Sequence, residues 1–315
     1  MSRRIVPLLV ALLGLSALAP LAPASPAGAA PAKTFTTDDG SLDPDIAPGD
    51  GVCATAAGGC SLQAAFDEAI ALRKGTIVID AGGYAASAVV RGTITVRGAD
   101  RLTGAGIGHL RVERGATLNL KDLELNDVGS TYLVRGRLTI ERSAYLSGMH
   151  GLRVDPSGTV VIRNSLMLVT QVQNLGALTL SYASLRVPPG GRGIQTSAAG
   201  VTTLAASHLF GTRGTGSRAC GGNRPVSQGY NAAMDGTCGL TQPTDIGVLG
   251  PEGDDLLPPP DSPRADAVPP GELGCGTTVI EDQARRPRPA DGNGDAVLAC
   301  DVGWLERQPS DDEEF

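Results

Sequence analysis

A short pattern of small and apolar residues recurs seven times along this chain. Each copy begins with glycine or alanine, and most copies have apolar residues two, four and often nine positions later. The copies begin 17 to 24 residues apart, at Gly75, Gly92, Ala116, Gly136, Gly158, Gly176 and Gly200. Apolar residues at every second position are typical of a strand with one buried face. A unit of this length cannot bury that face alone, so stacked copies must form the core.

Each period also contains other short strands. Apolar residues precede the later copies, at 110–112, 132–134, 152–154, 169–172 and 194–196. Three short strands per period describe one coil of a solenoid, and the usual crossover preference makes the coil right-handed. A leucine-rich repeat has a similar period, but the sequence lacks its Asn or Cys ladder and its helical stretch. The sequence therefore predicts an all-β fold, a right-handed parallel β-helix of about seven coils.

The two ends of such a rod expose strand edges and need covers. Ser61 is a suitable N-cap for a short capping helix. The apolar stripe of that helix is Leu62, Ala65, Phe66, Ala69 and Ile70. From about residue 214 the repeat ends and Pro, Gly and Cys become frequent, which predicts an irregular C-terminal region. The predicted segments are an N-terminal segment with the cap (30–74), the β-helix (75–213), the C-terminal region (214–307) and an acidic tail (308–315), disordered over 310–315.

The first 29 residues have the features of a secretory signal peptide. Arg3 and Arg4 precede an apolar run at 5–21, and small residues follow up to Ala29, after which we expect cleavage. The strongly apolar part is shorter than a membrane span, which needs about 20 residues. Cleavage removes two of 26 basic residues and none of the 33 acidic ones. The processed protein is expected to be secreted, soluble, monomeric and acidic, without a transmembrane segment, and nucleic acid is an unfavourable partner.

Six cysteines remain after that cleavage, in three local couples. An even number suits an oxidising compartment. Proximity predicts the disulfides Cys53–Cys60, Cys220–Cys238 and Cys275–Cys300, although six cysteines allow fifteen pairings.

Two stretches resemble secreted bacterial proteins that carry a CSLREA motif or a choice-of-anchor Q domain. The first runs from Gly51 to Ala65 and includes Cys60-Ser61-Leu62, with Gln63-Ala64 where the motif has Arg-Glu. The second is similar to the C-terminal end of choice-of-anchor Q domains, with Trp304-Leu305 where that end has a small residue followed by an aromatic one. Its matching residues are Asp282-Gln283, Arg286–Pro289, Cys300–Gly303 and Glu306, together with Gln228–Asn231 and Asp261–Pro263 upstream. The resemblance implies a pectate-lyase-like right-handed β-helix on an extracellular or cell-surface protein, and no settled activity.

The outward position five places after each copy begins is charged in the first five copies. The seven residues at this position are Asp80, Arg97, Lys121, Glu141, Arg163, Ser181 and Ala205, and the next position gives Asp122, Arg142, Asn164 and Tyr182. A surface salt-bridge ladder is favoured over an active site, because no two carboxylates meet there as glycoside hydrolysis requires. Asp122 and Arg142 are the alternative catalytic pair. His150-Gly151 resembles part of the Gly-His-Gly of polygalacturonases, but Met149 replaces the first glycine and the other elements are missing.

Two further patterns are better explained by local structure than by a functional site. Asp291, Asn293 and Asp295 alternate as in a Ca²⁺ loop, but position 12 is Val302, so a polar turn is preferred to a Ca²⁺ site. No other cofactor is expected. A row of outward threonines reflects strand propensity rather than an ice-binding surface, because other residues interrupt it at 137, 161, 177 and 201.

The sequence therefore favours a non-enzymatic structural or binding module for a cell-wall or extracellular glycan or a surface protein. The alternative is a polysaccharide lyase or glycoside hydrolase, because the fold hosts such chemistry. Few aromatic side chains are available to stack on sugars. The candidates are Tyr84, Tyr132, Tyr145, Tyr182, Tyr230 and Trp304.

Overall fold

The structure is a computed structural model that describes residues 32–80, 84–99, 103–126, 131–149, 151–211, 216–249 and 256–312. The predicted signal peptide and His150 lie outside these residues. In chain order the elements are β1 (Thr34–Thr37), α1 (Leu62–Ala71), β2 (Lys74–Ile79), β3 (Tyr84–Val90), β4 (Thr93–Gly98), β5 (Thr103–Val112), β6 (Thr117–Lys121), β7 (Leu123–Asn126), β8 (Thr131–Val134), β9 (Arg137–Glu141), β10 (Ala144–Met149), β11 (Gly151–Val154), β12 (Thr159–Arg163), β13 (Leu166–Val169), β14 (Gln171–Asn174), β15 (Ala177–Ser181), β16 (Ser184–Val187), β17 (Arg192–Thr196), β18 (Val201–Ala205), β19 (His208–Gly211), β20 (Arg218–Gly222), β21 (Val226–Ser227), β22 (Ala232–Ala233) and β23 (Gly247–Val248). Three short 3-10 helices lie at Gly236–Cys238, Glu272–Gly274 and Pro309–Asp312.

The strands form two parallel sheets that coil around one core. The first sheet has nine strands in the order β1-β2-β4-β6-β9-β12-β15-β18-β21. The second has fourteen strands, and its two arms diverge from the long strand β5, which also pairs with β3. One arm runs through β8, β11, β14, β17 and β20, and the other through β7, β10, β13, β16, β19, β22 and β23. Each complete coil contributes one strand to the first sheet and one to each arm. The predicted parallel β-helix is confirmed, with about six turns where the sequence predicted about seven coils.

The aliphatic residues of the repeat form continuous rows inside the coil. The register places Ile94, Leu118, Leu138, Val160 and Leu178 beside one another, and each is at most 1% exposed. The row two residues further along is Val96, Leu120, Ile140, Ile162 and Leu180. Burying each such side chain stabilises the fold by about 1.5–3 kcal/mol relative to leaving it exposed. The predicted stacking of these side chains is therefore confirmed.

The first copy of the repeat has a different register from the one that its glycine predicts. Gly75 pairs with Ile94 rather than with Gly92, and Arg73, with φ +56°, occupies the turn instead. A Cβ at Gly75 would lie 2.9 Å from the Cβ of Ala69, so this glycine makes room for the helix. Consequently Val78, not Asp80, pairs with Arg97, and the expectation that Asp80 begins the charged row is wrong.

Helix α1 covers the N-terminal end of the core as predicted. The Ser61 hydroxyl accepts a hydrogen bond from the amide of Ala64, and the helix buries Leu62 and Phe66. Glu68 on the same helix is also buried, and hydrogen bonds that its carboxylate accepts from the amides of Gly49 and Gly51 offset the cost of burying it. Strand β1 pairs with β2 and thus covers an edge of the first sheet.

Stacking continues beyond residue 213, where the sequence pattern ends. Strands β20, β21 and β22 pair with β17, β18 and β19, and β23 pairs with β22. The repeat is not visible there because small residues such as Cys220 and Ala233 replace large aliphatic ones in the core. The structure contains the disulfides Cys53–Cys60, Cys220–Cys238 and Cys275–Cys300.

The rest of the C-terminal region packs along the side of the coils. One apolar cluster joins Tyr182 and Ala206 of the coils to Val268 and Val302 of the C-terminal region. A second cluster places Trp304 against the second sheet, with Ala144, Leu166 and Phe210. The beginning of the acidic tail is folded: Asp311, in the last 3-10 helix, forms an ion pair with Arg286 at 3.0 Å.

Candidate functional site

The outward charged residues of the first sheet form one row, as the sequence indicated from Arg97 onwards. Arg97, Lys121, Glu141, Arg163, Ser181 and Ala205 are neighbours on successive strands. Within this row the amine of Lys121 lies 3.4 Å from a carboxylate oxygen of Glu141. Because both side chains are partly exposed, the pair contributes at most about 1 kcal/mol.

Asp122 and Arg142 form a two-pronged ion pair. The Nε and Nη2 atoms of Arg142 lie 2.8 and 3.1 Å from the two carboxylate oxygens of Asp122. Arg285 from the C-terminal region also approaches Asp122, at 3.3 Å. Burial opposes the charge of Arg142, but its bonds and charge interactions with Asp122 and Glu141 raise its pKa. The Asp122 carboxylate is thus engaged by two arginines and 8% exposed, which leaves it poorly suited to act as a general base.

The residues that follow the first-sheet strands make a row of left-handed backbone conformations. These residues are Asp122, Arg142, Asn164, Tyr182, Ala206 and Tyr230, with φ between 45° and 57°. The C-terminal region covers this row. Asn164 donates to the carbonyl of Glu281 at 2.9 Å, Arg288 lies over the ring of Tyr182 at 4.7 Å, and the amide of Gly303 donates to the carbonyl of Ala206 at 3.0 Å.

The cover contains a buried ion pair. Arg288 and Glu306 are both fully buried, with 3.3 Å between Nε and the carboxylate oxygen. Arg288 also donates to the carbonyls of Asp301 and Gly303 at 3.1 and 2.9 Å. Burial raises the pKa of Glu306 to about 8 and that of Asp301 to about 6. These groups hold the C-terminal region together and have no exposed face.

The candidate Ca²⁺ loop has a further acidic neighbour that the sequence pattern missed. Carboxylate oxygens of Asp266, Asp291 and Asp295 lie within 4.8 Å of one another. Burial raises the pKa of Asp266, while its oxygens accept hydrogen bonds from the amides of Gly292 and Asn293. Asp291 likewise accepts from the amides of Gly294 and Ala296. These bonds are those of a polar turn, the interpretation that the sequence favoured, and Ca²⁺ binding by Asp291, Asn293 and Asp295 stays the alternative.

Most aromatic candidates for sugar stacking are inside the protein. Tyr132 and Tyr145 meet edge to face in the core, with ring centroids 5.8 Å apart. Tyr182 and Trp304 are buried beneath or within the C-terminal region, and Tyr230 is half-buried. Among the described side chains none of the candidates is exposed, so sugar stacking on this set is unfavourable. The outward threonine row is interrupted, as expected, where Val161 lies between Thr139 and Thr179.

A groove lined by arginines lies at the turns that precede the first-sheet strands. Its volume is about 900 Å³, within the range of ligand sites, and we call it the arginine groove. It is lined by Arg73, Arg91, Gly92, Glu113, Arg114, Gly115, Arg135 and Asp155. Glycines allow these turns to stack closely: a Cβ at Gly92 would lie 2.0 Å from the carbonyl oxygen of Arg73, and Gly115 has φ +74°. Stacked turns therefore bring arginines from successive coils together.

The arginines of the groove fall into two groups. The Nε of Arg135 lies 3.0 Å from Asp155, and its Nη1 lies 3.7 Å from Glu113. Although burial alone would raise the pKa of Asp155, its bonds to Arg153 and Arg135 lower that pKa. Arg73, Arg91 and Arg114 are exposed, and no group in the described part of the chain forms an ion pair or hydrogen bond with their guanidiniums. Three cations are thus free to bind an external anion.

The sequence contains a signal for this groove outside the residues that define the repeat. Arg-Gly occurs at 91–92, 114–115 and 135–136, at the same turn of three consecutive coils. The predicted charged row contains only residues near the end of each strand, whereas these arginines precede the strands.

No helix among the described residues is long and apolar enough to cross a membrane. The three disulfides indicate an oxidising, extracellular environment. Comparisons with protein-family models, with curated proteins and with solved structures find no match. The CSLREA and choice-of-anchor Q resemblance therefore stays a prediction, and the chain is assigned here to the parallel β-helix fold alone.

Proposed function

We propose that this protein is a secreted, non-enzymatic binding module for a cell-wall or extracellular glycan or a surface protein. The observation that carries this proposal is the arginine groove. A cavity of about 900 Å³ is large enough for a ligand, and three of its arginines have no partner in the described part of the chain. Fold alone does not decide function, so the proposal rests on this site.

The disposition of acidic groups supports binding rather than hydrolysis. Glycoside hydrolases need two carboxylates that face one bond of the substrate, with one free to donate a proton. In the groove, Glu113 and Asp155 are both held by Arg135, and Arg153 also binds Asp155. A lowered pKa keeps Asp155 ionised, which disfavours a role as general acid.

A glycan array combined with a reducing-end release assay tests the proposal. The processed protein is applied to the array, and every glycan that it binds is then incubated with it in solution. We expect binding without release of reducing ends. Release would support the alternative, a polysaccharide lyase or glycoside hydrolase. If release occurs, Asp122→Asn decides whether the Asp122–Arg142 pair is responsible, and retained release in this variant would exclude it.

A further inference from the structure

The arginine groove follows the stacking direction of the coils. Arg73, Arg91, Arg114 and Arg135 come from the turns before β2, β4, β6 and β9, which are consecutive strands of the first sheet. Neighbouring strands are about 4.8 Å apart, so the four turns extend over roughly 15 Å. A ligand that contacts all four turns must itself be extended along the rod.

The pairing of the arginines defines the chemistry of that ligand. Arg135 is held in place by Glu113 and Asp155, whereas Arg73, Arg91 and Arg114 have free guanidiniums within the described chain. A guanidinium presents parallel N–H donors that match the two oxygens of a carboxylate or sulfate. An array of free arginines therefore suits a chain with a negative charge on successive units.

The lining disfavours the other polyanionic or extended partners. It consists of arginine, glycine, glutamate and aspartate, with no aromatic or aliphatic side chain. Protein partners are held by apolar and aromatic anchors at the centre of an interface. Single-stranded nucleic acids are held by stacking of their bases on aromatic rings, and the lining of the groove has none.

We infer that the arginine groove binds an extended acidic polysaccharide through carboxylate or sulfate groups on successive sugars. This inference rests on the proposed function and names its class of ligand. Arg73, Arg91 and Arg114 contact the anionic groups directly. Arg135, already paired, shapes the floor of the groove and contributes less to affinity.

Titration with defined polymers tests the inference. The probes are polygalacturonate, which carries carboxylates, heparin, which carries sulfates, neutral pullulan, and a DNA duplex. The test variant is R91Q/R114Q. The control variant is R192Q/R218Q, which removes two exposed arginines from the neighbouring strands β17 and β20 and so changes the net charge equally. Circular dichroism and melting of each variant verify that it is folded.

The expected result is binding of at least one acidic polysaccharide that weakens between low salt and physiological salt, about 0.15 M. R91Q/R114Q should lose roughly ten-fold in affinity at low salt, and R192Q/R218Q should bind as the unmodified protein does. Equal loss in both variants, binding of pullulan as tight as that of the acidic polymers, or tighter binding of DNA would overturn the inference. An array hit on a neutral glycan with no binding of either acidic polymer would refute the inference and leave the proposed function standing.

Discussion

Replacing Arg288 with methionine should destabilise the C-terminal region, because it leaves the carboxylate of Glu306 buried without its cation. Both side chains are fully buried and 3.3 Å apart. Removing one partner of a buried pair costs about 3–5 kcal/mol. The substitution also removes the hydrogen bonds to the carbonyls of Asp301 and Gly303. Burial raises the pKa of Glu306 to about 8, so the carboxylate is ionised in the intact pair at about pH 9, where the variants are compared. Proton uptake by the unpaired carboxylate in the variant offsets part of the cost, and we expect a net loss of about 3 kcal/mol.

The assay uses the single tryptophan of the chain. Trp304 lies in the C-terminal region, so its fluorescence follows the unfolding of that region in urea, while far-ultraviolet circular dichroism follows the coils. R288M should shift the fluorescence transition to lower urea. The double variant R288M/E306L should recover about 1–3 kcal/mol, because no charge is then left buried. R285M is the control: Arg285 is 40% exposed, so its loss should cost less than about 1 kcal/mol. A loss below 1 kcal/mol in R288M, or a double variant no more stable than R288M, would refute this reasoning.

Three further predictions concern the core, pH and a disulfide. Leu138→Ala should cost about 3 kcal/mol in urea unfolding and the outward Thr139→Ala about 0.5 kcal/mol or less; equal costs would contradict the buried row. Burial raises the pKa of Glu306 above its unfolded value, so the stability that depends on its proton is complete below about pH 4 and is lost as pH rises through about 8. The melting temperature should thus fall between pH 5 and pH 9 through this group, and E306Q should show a flatter profile; identical profiles would count against it. Replacing Cys275 and Cys300 with serine opens a loop of 25 residues and should lower the free energy of unfolding by roughly 3 kcal/mol. The loss should be seen as faster proteolysis of the C-terminal region, and unchanged proteolysis would argue against a constraining role of this disulfide.

The coils could be predicted from sequence because each physical constraint there is local and repeated. Alternation along a strand fixes which side chains point inwards, and stacking then places Leu138 between Leu118 and Val160. The exception is Gly75. In sequence, Gly75 looks the same as the glycines of the turns. In the structure a glycine is needed there because helix α1 packs against it, and the repeat pattern contains no information about that contact.

The candidate site was predictable only in part, because some of its residues come from segments outside the repeat. Asp122 and Arg142 occupy equivalent positions of adjacent coils, so the period brings them together. Arg285 completes that cluster, but the C-terminal region has no repeat from which its position follows. Asp266 lies close to Asp291 and Asp295 in the structure. The sequence did not predict this, because a turn motif identifies only residues within its own loop.

The two ends of the first-sheet strands differ in a way that argues for a ligand in the arginine groove. At one end, the charges of Asp122 and Arg142 compensate each other and the C-terminal region covers them. At the other end, Arg91 and Arg114 follow each other on successive coils without an acidic partner among the described residues. Like charges on neighbouring strands destabilise each other, and an alternating sequence, as in Lys121 and Glu141, would avoid that cost. The acidic ligand that we infer would offset this repulsion by binding arginines of neighbouring coils.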